Sequence, residues 1–254
     1  MTSFPNTLEK HGQPGILTAK ELDAYRQTKR PFPPQTMILC YQPTLFQFAQ
    51  KKFKGKTVHG FFGETVLLKK CDNRVGIAGH FGIGAPVTAV LAEDFIAWGV
   101  KQLIILGIAG SITPMLQTGG VVIAEKALRD EGASHHYLPP QKYVSASSTL
   151  TKQVQQALAQ QNISFTTGAT WTTDAPYRET AVEVQNYQQE GVLTVEMEAA
   201  ALFAVAQYYD VQATAVFCIS DSVANGRWQP AANFTYIQKQ LETLTEIVIN
   251  SLKI

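Results

Sequence analysis

Cysteine is scarce in this 254-residue chain, and its three cysteines are too few and too widely spaced to suggest a metal site. Cys40 and Cys218 stand inside apolar runs, where a free cysteine usually behaves as a small buried hydrophobe. Cys71 is the third, which leaves an odd number. These features disfavour a small secreted domain built on disulfides and indicate a reducing compartment.

Long hydrophobic runs and an excess of one charge are also lacking. No apolar run approaches the roughly 20 residues that a membrane-spanning helix needs, and the opening segment MTSFPNTLEKHGQPG has no apolar core typical of a secretory signal. The 21 basic and 20 acidic residues give a net charge of +1 without a sustained basic stripe, so no electrostatic footprint for nucleic acid is present. We therefore expect a cytoplasmic protein that binds neither membranes nor nucleic acids.

What is present is ample material for a core, since 45% of the residues are hydrophobic and only 16% are charged. We interpret residues 1–254 as a single α/β domain with an irregular arm over 1–17. Thr18 and Glu21 have capping-box spacing, which predicts a helix from Thr18 to about Lys29.

Apolar runs alternate with amphipathic segments along the rest of the chain. Strands are predicted at 37–41, 57–69, 74–78, 101–107, 120–124, 164–173, 192–195 and 213–219, and helices at 86–98, 148–160, 179–189, 198–209 and 232–252. The alternation predicts a largely parallel sheet covered on both faces. Ligands bind such sheets at the carboxyl ends of strands. The polar segments that follow strands are Gln42, 107–111, 174–179, 196–198 and 220–221.

Two carboxylates, Glu196 and Glu198, stand where a predicted strand meets a helix. One interpretation is that they stabilise the helix N-terminus through its dipole. The other is that one of them binds a sugar, because a carboxylate accepts hydrogen bonds from both hydroxyls of a vicinal diol. The Ser220-Asp221 pair after the next strand has a similar ambiguity. It fits a turn or a helix cap, or an acid whose pKa is raised by burial in a cleft.

Several motifs accompany these two elements, which lie 23 positions apart from Glu198 to Asp221. They are the Gly82-Ile-Gly-Ala-Pro86 helix start, the Gly107-Ile-Ala-Gly110 segment, Asp130-Glu-Gly-Ala-Ser134 and Thr173-Asp-Ala-Pro-Tyr177. In combination with V-E-M-E-A-A, they resemble the nucleoside phosphorylase/uridine phosphorylase superfamily, which also includes nucleosidases acting on methylthioadenosine and adenosylhomocysteine. The resemblance runs from about residue 37 to 225.

The resemblance implies a three-layer α/β/α fold around a mixed, twisted sheet. It places Met197 and Glu198 on the ribose, with Glu198 on the 2′- and 3′-hydroxyls. It places Asp221, with Ser220, beside the base as the acid toward N7 of a purine, and Tyr177 or Pro176 where relatives stack an aromatic ring. It also implies a small-molecule nucleoside as ligand, no cofactor apart from phosphate as a co-substrate, and a homo-oligomer, either a dimer or a hexamer.

The chain departs from the family where phosphate binds. The Gly-Asp-Pro-x-Arg loop of phosphorolytic relatives is replaced by Tyr41-Gln-Pro-Thr-Leu45, and isoleucine stands at the second arginine and hydroxyl positions, Ile105 and Ile108. Removing guanidinium groups removes charge-assisted bonds to a dianion. The remaining candidates for the phosphate or nucleophile site are Gln42, Gly107, Arg129 and Arg178, although each arginine also fits an ordinary surface or structural ion pair.

Three functional hypotheses remain open at this point. The first is phosphorolysis of purine nucleosides. The second is hydrolysis by a nucleosidase, although no glutamate lies between Met37 and Lys52, where nucleosidases of the family present one to activate water. The third is a nucleoside-binding protein with weak or no catalysis. We expect no metal at His135-His136, because adjacent side chains rarely converge on one ion. Whether His11 reaches a neighbouring subunit's site is also left open.

Overall fold

The computed structural model describes residues 9–252, and its helices and strands alternate along most of the chain. The helices are α1 Ala19–Arg26, α2 Pro43–Lys52, α3 Ala85–Trp98, α4 Ser148–Gln160, α5 Ala181–Gln189, α6 Ala199–Tyr208 and α7 Phe234–Ser251. The strands are β1 Thr36–Cys40, β2 Gly55–Val58, β3 Glu64–Leu68, β4 Val75–Gly79, β5 Gln102–Ser111, β6 Val121–Asp130, β7 Tyr143–Ser145, β8 Thr166–Thr173, β9 Val192–Glu196, β10 Gln212–Ser222 and β11 Gln229–Pro230.

The strands form one sheet in which parallel and antiparallel pairings are mixed. From the edge the order is β2-β3-β4-β1-β5, with β4, β1 and β5 parallel. Beyond β1 the sheet closes on itself, because β5 pairs with both β10 and β9, and β6 and β8 connect these two. The mixed sheet implied by the family resemblance is confirmed. The largely parallel sheet predicted from strand alternation is wrong, because β6, β9 and the edge strands include antiparallel pairings.

Helices cover both faces of the sheet, which confirms the three-layer α/β/α arrangement. Alternate side chains of a strand point to opposite faces. In β1, Ile38 and Cys40 pack into one buried cluster that also contains residues of α2, α4 and α7. Met37 and Leu39 pack into a second cluster with residues of α3 and α6. Each face of the central sheet therefore has its own apolar core.

Three local predictions are wrong for identifiable reasons. The predicted strand 57–69 is two strands, because Gly60 and Gly63, with φ of 95° and 66°, turn the chain between β2 and β3. The segment after Pro43, where no helix is predicted, is the full helix α2, since Pro43 occupies its first turn. The predicted loop at 107–111 is part of β5, because β10 pairs with β5 as far as Ser111.

The N-terminal helix is as predicted at its start. The Thr18 side chain accepts from the Glu21 backbone N–H, and the Glu21 carboxylate accepts from the Thr18 backbone, so the capping box is complete. Within the predicted arm, Lys10–Gly12 form a short 3₁₀ helix, and residues 1–8 lie outside the described residues. His11 Nε2 lies 3.0 Å from the His135 backbone oxygen of the same chain. Within residues 9–252, no helix combines the length and apolarity that crossing a bilayer requires.

Gly79 at the end of β4 provides a test of how tightly this core is packed. A Cβ at this position would lie 2.6 Å from the Phe46 ring, and Phe46 is fully buried. We expect Gly79→Ala to lower the free energy of unfolding by about 1–3 kcal/mol through overpacking. Gly12→Ala, whose Cβ would meet nothing within 4 Å, should change it by less than about 0.5 kcal/mol. Urea denaturation of both variants measures this, and equal midpoints would contradict the packing interpretation.

Candidate active site

A cavity of about 750 Å³ opens where β5, β9 and β10 end. It is lined by Ile108, Ala109 and Gly110 of β5 and by Ser220 and Asp221 of β10. Val195, Glu196 and Met197, from the junction of β9 with α6, line one side. Two segments complete the walls, residues 176–184 and residues 223–228. Most of the polar positions that follow predicted strands are therefore gathered around one opening.

Asp221 is held at the cavity by two donors. The Ser220 hydroxyl donates to Oδ1, and the Trp228 indole N–H donates to Oδ2 at 2.9 Å. Close approach of β5 is possible because position 110 is glycine, where a Cβ would lie 3.3 Å from Asp221 Oδ2.

The Glu196 carboxylate fixes the turn that leads into α6. Its Oε2 accepts the backbone N–H groups of Glu198 and Ala199 at 2.8 and 2.7 Å, which are donors that a helix N-terminus leaves unpaired. Its Oε1 accepts the Thr172 hydroxyl at 2.6 Å. Glu196 therefore stabilises the N-terminus of α6, which is the first of the two interpretations drawn from the sequence. Met197, in the same turn, lines the cavity.

Glu198 points from the same turn toward the start of α3. Its Oε1 accepts the Gly84 backbone N–H at 2.7 Å, and its Oε2 accepts the Met197 N–H at 3.3 Å. The residue is 7% exposed and does not itself line the 750 Å³ cavity, although Met197 beside it does. Its carboxylate retains lone pairs that no described residue occupies.

Burial raises the pKa of both glutamates. For Glu198 the pKa rises from 4.5 to about 8, because burial and the Glu196 charge both disfavour its anion while only backbone N–H groups oppose them. Glu196 is also raised by burial, but four hydrogen bonds to its oxygens oppose the shift. We therefore expect Glu196 to ionise first and Glu198 to hold its proton longer.

The segment at 174–180 carries the residues predicted to lie beside the base. Asp174 accepts the Gly132 backbone N–H at 2.8 Å, which ties this segment to the end of β6. Pro176 and Tyr177 begin a short 3₁₀ helix and line the cavity, and Tyr177 is 99% exposed. Arg178 follows them on the surface.

Two of the residues predicted for the phosphate or nucleophile site, Gln42 and Gly107, lie close together. A Cβ at Gly107 would lie 3.5 Å from Gln42 Oε1. That oxygen is buried and has no hydrogen-bond partner among the described residues. Leu45 and Ile105, at the family's arginine positions, are fully buried in the apolar clusters.

Arg129 has a structural role. It lies near the end of β6 rather than in a loop, because β6 continues alongside β8 to Asp130. Its guanidinium donates to the Ser134 hydroxyl and to the backbone oxygens of Leu138, Pro139 and Gln141. It is not among the residues that line the cavity, so we no longer put it forward as a phosphate ligand.

Three charged or aromatic residues that line the cavity were given no role from the sequence. They are Glu179, Arg227 and Trp228. The segment Asn225-Gly-Arg-Trp228 follows the β10 strand that carries Asp221, and an aromatic residue so close to a predicted acid was the available signal. Glu179 falls at the end of the 174–179 segment, but its sequence position alone does not distinguish it from a helix cap.

Comparisons with known proteins identify the family to which this chain belongs. The family model described as Phosphorylase superfamily matches residues 39–252. The chain belongs to that superfamily. Its relatives include the DeoD-type purine nucleoside phosphorylase of Caldanaerobacter subterraneus subsp. tengcongensis, which is 32% identical over 171 residues, 66% of this chain and 72% of the relative. The enzyme of the same name from Dichelobacter nodosus is 29% identical over 202 residues, 74% of this chain and 81% of the relative.

Membership in the phosphorylase superfamily confirms the family resemblance inferred from the motifs. It also accounts for the sheet, since the mixed α/β arrangement agrees with the phosphorylase-type fold. At this level of identity, the relatives support nucleoside phosphorolysis as the general chemistry of the site.

The raised pKa of Glu198 predicts how the stability of the ligand-free protein depends on pH. The folded state holds the proton more tightly than the unfolded chain, so the associated stability is fully present below the unfolded pKa of 4.5. It is lost as the pH rises through the folded pKa of about 8. We expect Tm to fall across this range in the wild type and to fall less in Glu198→Gln. Glu64→Gln, on the exposed end of β3, should follow the wild type, and parallel curves for all three proteins would contradict the assignment.

Proposed function

We propose that this member of the phosphorylase superfamily cleaves the N-glycosidic bond of purine nucleosides. The observation that carries the proposal is that Asp221 and Met197, from separate strand ends, line the same cavity. Its volume of about 750 Å³ lies within the range of small-molecule sites. The two DeoD-type relatives, named as purine nucleoside phosphorylases, support the purine assignment.

The turn at 196–198 is proposed to bind the ribose. Met197 would cover the sugar, and Glu198 would accept hydrogen bonds from the 2′- and 3′-hydroxyls. Glu198 is suited to this role because its position is fixed by the Gly84 N–H and its remaining lone pairs are unoccupied by described residues. In its ionised form, Glu198 would also stabilise the positive charge that develops on the sugar as the glycosidic bond breaks.

The other end of the cavity is proposed to bind the base. Pro176, Tyr177 and Trp228 supply apolar and aromatic surface around the opening, and Asp221 is directed into it. As the bond breaks, the departing purine gains negative charge, and an acid on the Asp221 side neutralises it. Ser220 supports this role through its hydrogen bond to Asp221.

The proposed nucleophile is phosphate, as in the named relatives. A specific observation favours water as a second candidate. Leu45 and Ile105 fill the arginine positions with buried apolar side chains, and Ile108 of β5 lines the cavity. The unpaired Gln42 Oε1 beside Gly107 can accept a hydrogen bond from a water at that point. The cations that remain as candidates to bind phosphate are the exposed Arg178 and the cavity-lining Arg227.

The role of Asp221 is tested by Asp221→Asn. We expect kcat for purine nucleosides to fall by about 10²–10⁴-fold, which is the usual contribution of general acid catalysis. The nucleoside Kd, measured by calorimetry, should change little because the cavity keeps its shape. Asp210→Asn, on an exposed turn before β10, is the matched control. Wild-type turnover in Asp221→Asn would reject the acid role, whereas inactivity of the wild type itself would leave a nucleoside-binding protein.

The nucleophile is tested by supplying purine nucleosides with and without inorganic phosphate. Phosphorolysis predicts that the rate of base release rises with phosphate concentration and that a sugar phosphate accumulates. Equal rates without phosphate, with free ribose as the product, would replace phosphate by water. Chromatography of both products distinguishes these outcomes directly.

A further inference from the structure

Glu179 is a carboxyl group of the cavity that the proposed function leaves without a role. It lies between the 3₁₀ helix Pro176–Arg178 and the start of α5, and it lines the cavity together with Asp221. The next residue, Thr180, forms a complete capping box with Glu183, including the Thr180 hydroxyl to Glu183 Oε2 bond at 2.6 Å. This capping box fixes the first turn of α5 and therefore the backbone that carries Glu179.

The surroundings of Glu179 disfavour its anion. Burial, followed by the charges of Asp221 and Glu183, raises its pKa from 4.5 to about 7. No described residue donates a hydrogen bond to its side chain or forms an ion pair with it. The titratable or charged groups on the elements around it are Asp221 on β10, Glu183 on α5, Glu196 on β9, Arg227 in the 223–228 segment, and Tyr177 and Arg178 of the 3₁₀ helix.

Asp221 has the opposite surroundings. Both of its oxygens accept hydrogen bonds, from Ser220 and from Trp228. Two carboxyl groups that share a cavity cannot both be ionised without repulsion, so one of them retains a proton to higher pH. The charge of Asp221 is one of the causes that raise the pKa of Glu179. Glu179, which has no hydrogen-bond donor among the described residues, is therefore the carboxyl that we expect to hold the proton.

We propose that Glu179 is a catalytic residue, the second carboxyl of an acid pair with Asp221 that holds one proton near neutral pH and delivers it to the departing purine. This inference rests on the proposed function, because it assigns the source of the proton for that same cleavage.

The step balances without any further reactant. The electron pair of the C1′–N9 bond passes to the purine ring, and the ring takes the proton from the pair at a ring nitrogen. Both carboxyls are then ionised, and the pair regains its proton from solvent before the next turnover. The oxygen of phosphate or water forms the new bond at C1′, and an attacking water releases one proton to solvent. The second carboxyl matters because Glu179, whose pKa is raised to about 7, can hold the proton for the purine near neutral pH.

The catalytic test compares Glu179→Gln with the wild type across pH. Glutamine keeps the shape of a neutral glutamic acid but has no proton to release. We expect kcat at about pH 6.5 to fall by about 10²-fold or more, with KM changed by less than about threefold. In the wild type, kcat should decline as the pH rises through about 7. In the variant, this decline should be lost, because glutamine does not titrate. Glu125→Gln, at an exposed position of β6, should match the wild type.

A second measurement separates this inference from the proposed function. Potentiometric titration of the wild type minus that of Glu179→Gln should show release of about one proton per chain centred near pH 7, whether or not a nucleoside is cleaved. If the proton release is absent, or if Glu179→Gln keeps the wild-type kcat and pH midpoint, Glu179 is not part of an acid pair. If the proton release is present but the wild type cleaves no purine nucleoside, the proposed function fails and the protonated carboxyl stands. Circular dichroism of each variant confirms that it is folded.

Discussion

The bonds that Glu196 accepts at the start of α6 fix the site more than any other interaction. One oxygen binds two backbone N–H groups of the helix start, and the other binds the Thr172 hydroxyl from β8. Thr172 in turn accepts the Ala200 N–H at 3.0 Å. The helix end, β8 and β9 are therefore joined through one buried carboxylate. Met197 and Glu198 lie inside this junction, so their positions follow from it rather than from flexible side chains.

The second constraint is the close approach of β5 to its neighbours. Gly110 leaves room for Val195 on β9 and Asp221 on β10, to which a Cβ at position 110 would lie 3.2 and 3.3 Å away. Because β5 pairs with both strands, one continuous piece of backbone positions both sides of the cavity, the one proposed to bind the ribose and the one proposed to bind the base. Glycine in this segment serves close packing rather than a turn, which explains why 107–111 is a strand.

Periodicity was sufficient to predict most elements of the fold, because strands such as β10 and helices such as α4 are locally consistent in apolar pattern and flanking residues. It failed at Gly60 and Gly63, where turn geometry splits a run, and at 107–111, where pairing with a distant strand overrides local glycine content. The carboxylates of the site were identifiable from motifs. The separate roles of these carboxylates were not predictable, because the structural role of Glu196 depends on Thr172, which is 24 residues away along the chain. The structural bonds of Arg129 were not predictable for a similar reason, since its partners are backbone oxygens of the following segment.

The charge of the site bears directly on the choice between phosphate and water. Glu179, Glu196 and Asp221 line the cavity, with Glu198 next to it, and Arg227 is the cation among the lining residues. A phosphate dianion would be strongly repelled if all four carboxyls were ionised. The raised pKa values of Glu179 and Glu198 reduce this repulsion near neutral pH, because a fraction of each carboxyl then remains protonated. A neutral carboxyl supplies no positive charge, so these protons lessen the repulsion without replacing the arginines that the chain lacks at Leu45 and Ile105. If phosphate is the attacking group, as proposed, its binding therefore becomes less favourable as the pH rises and both carboxyls ionise.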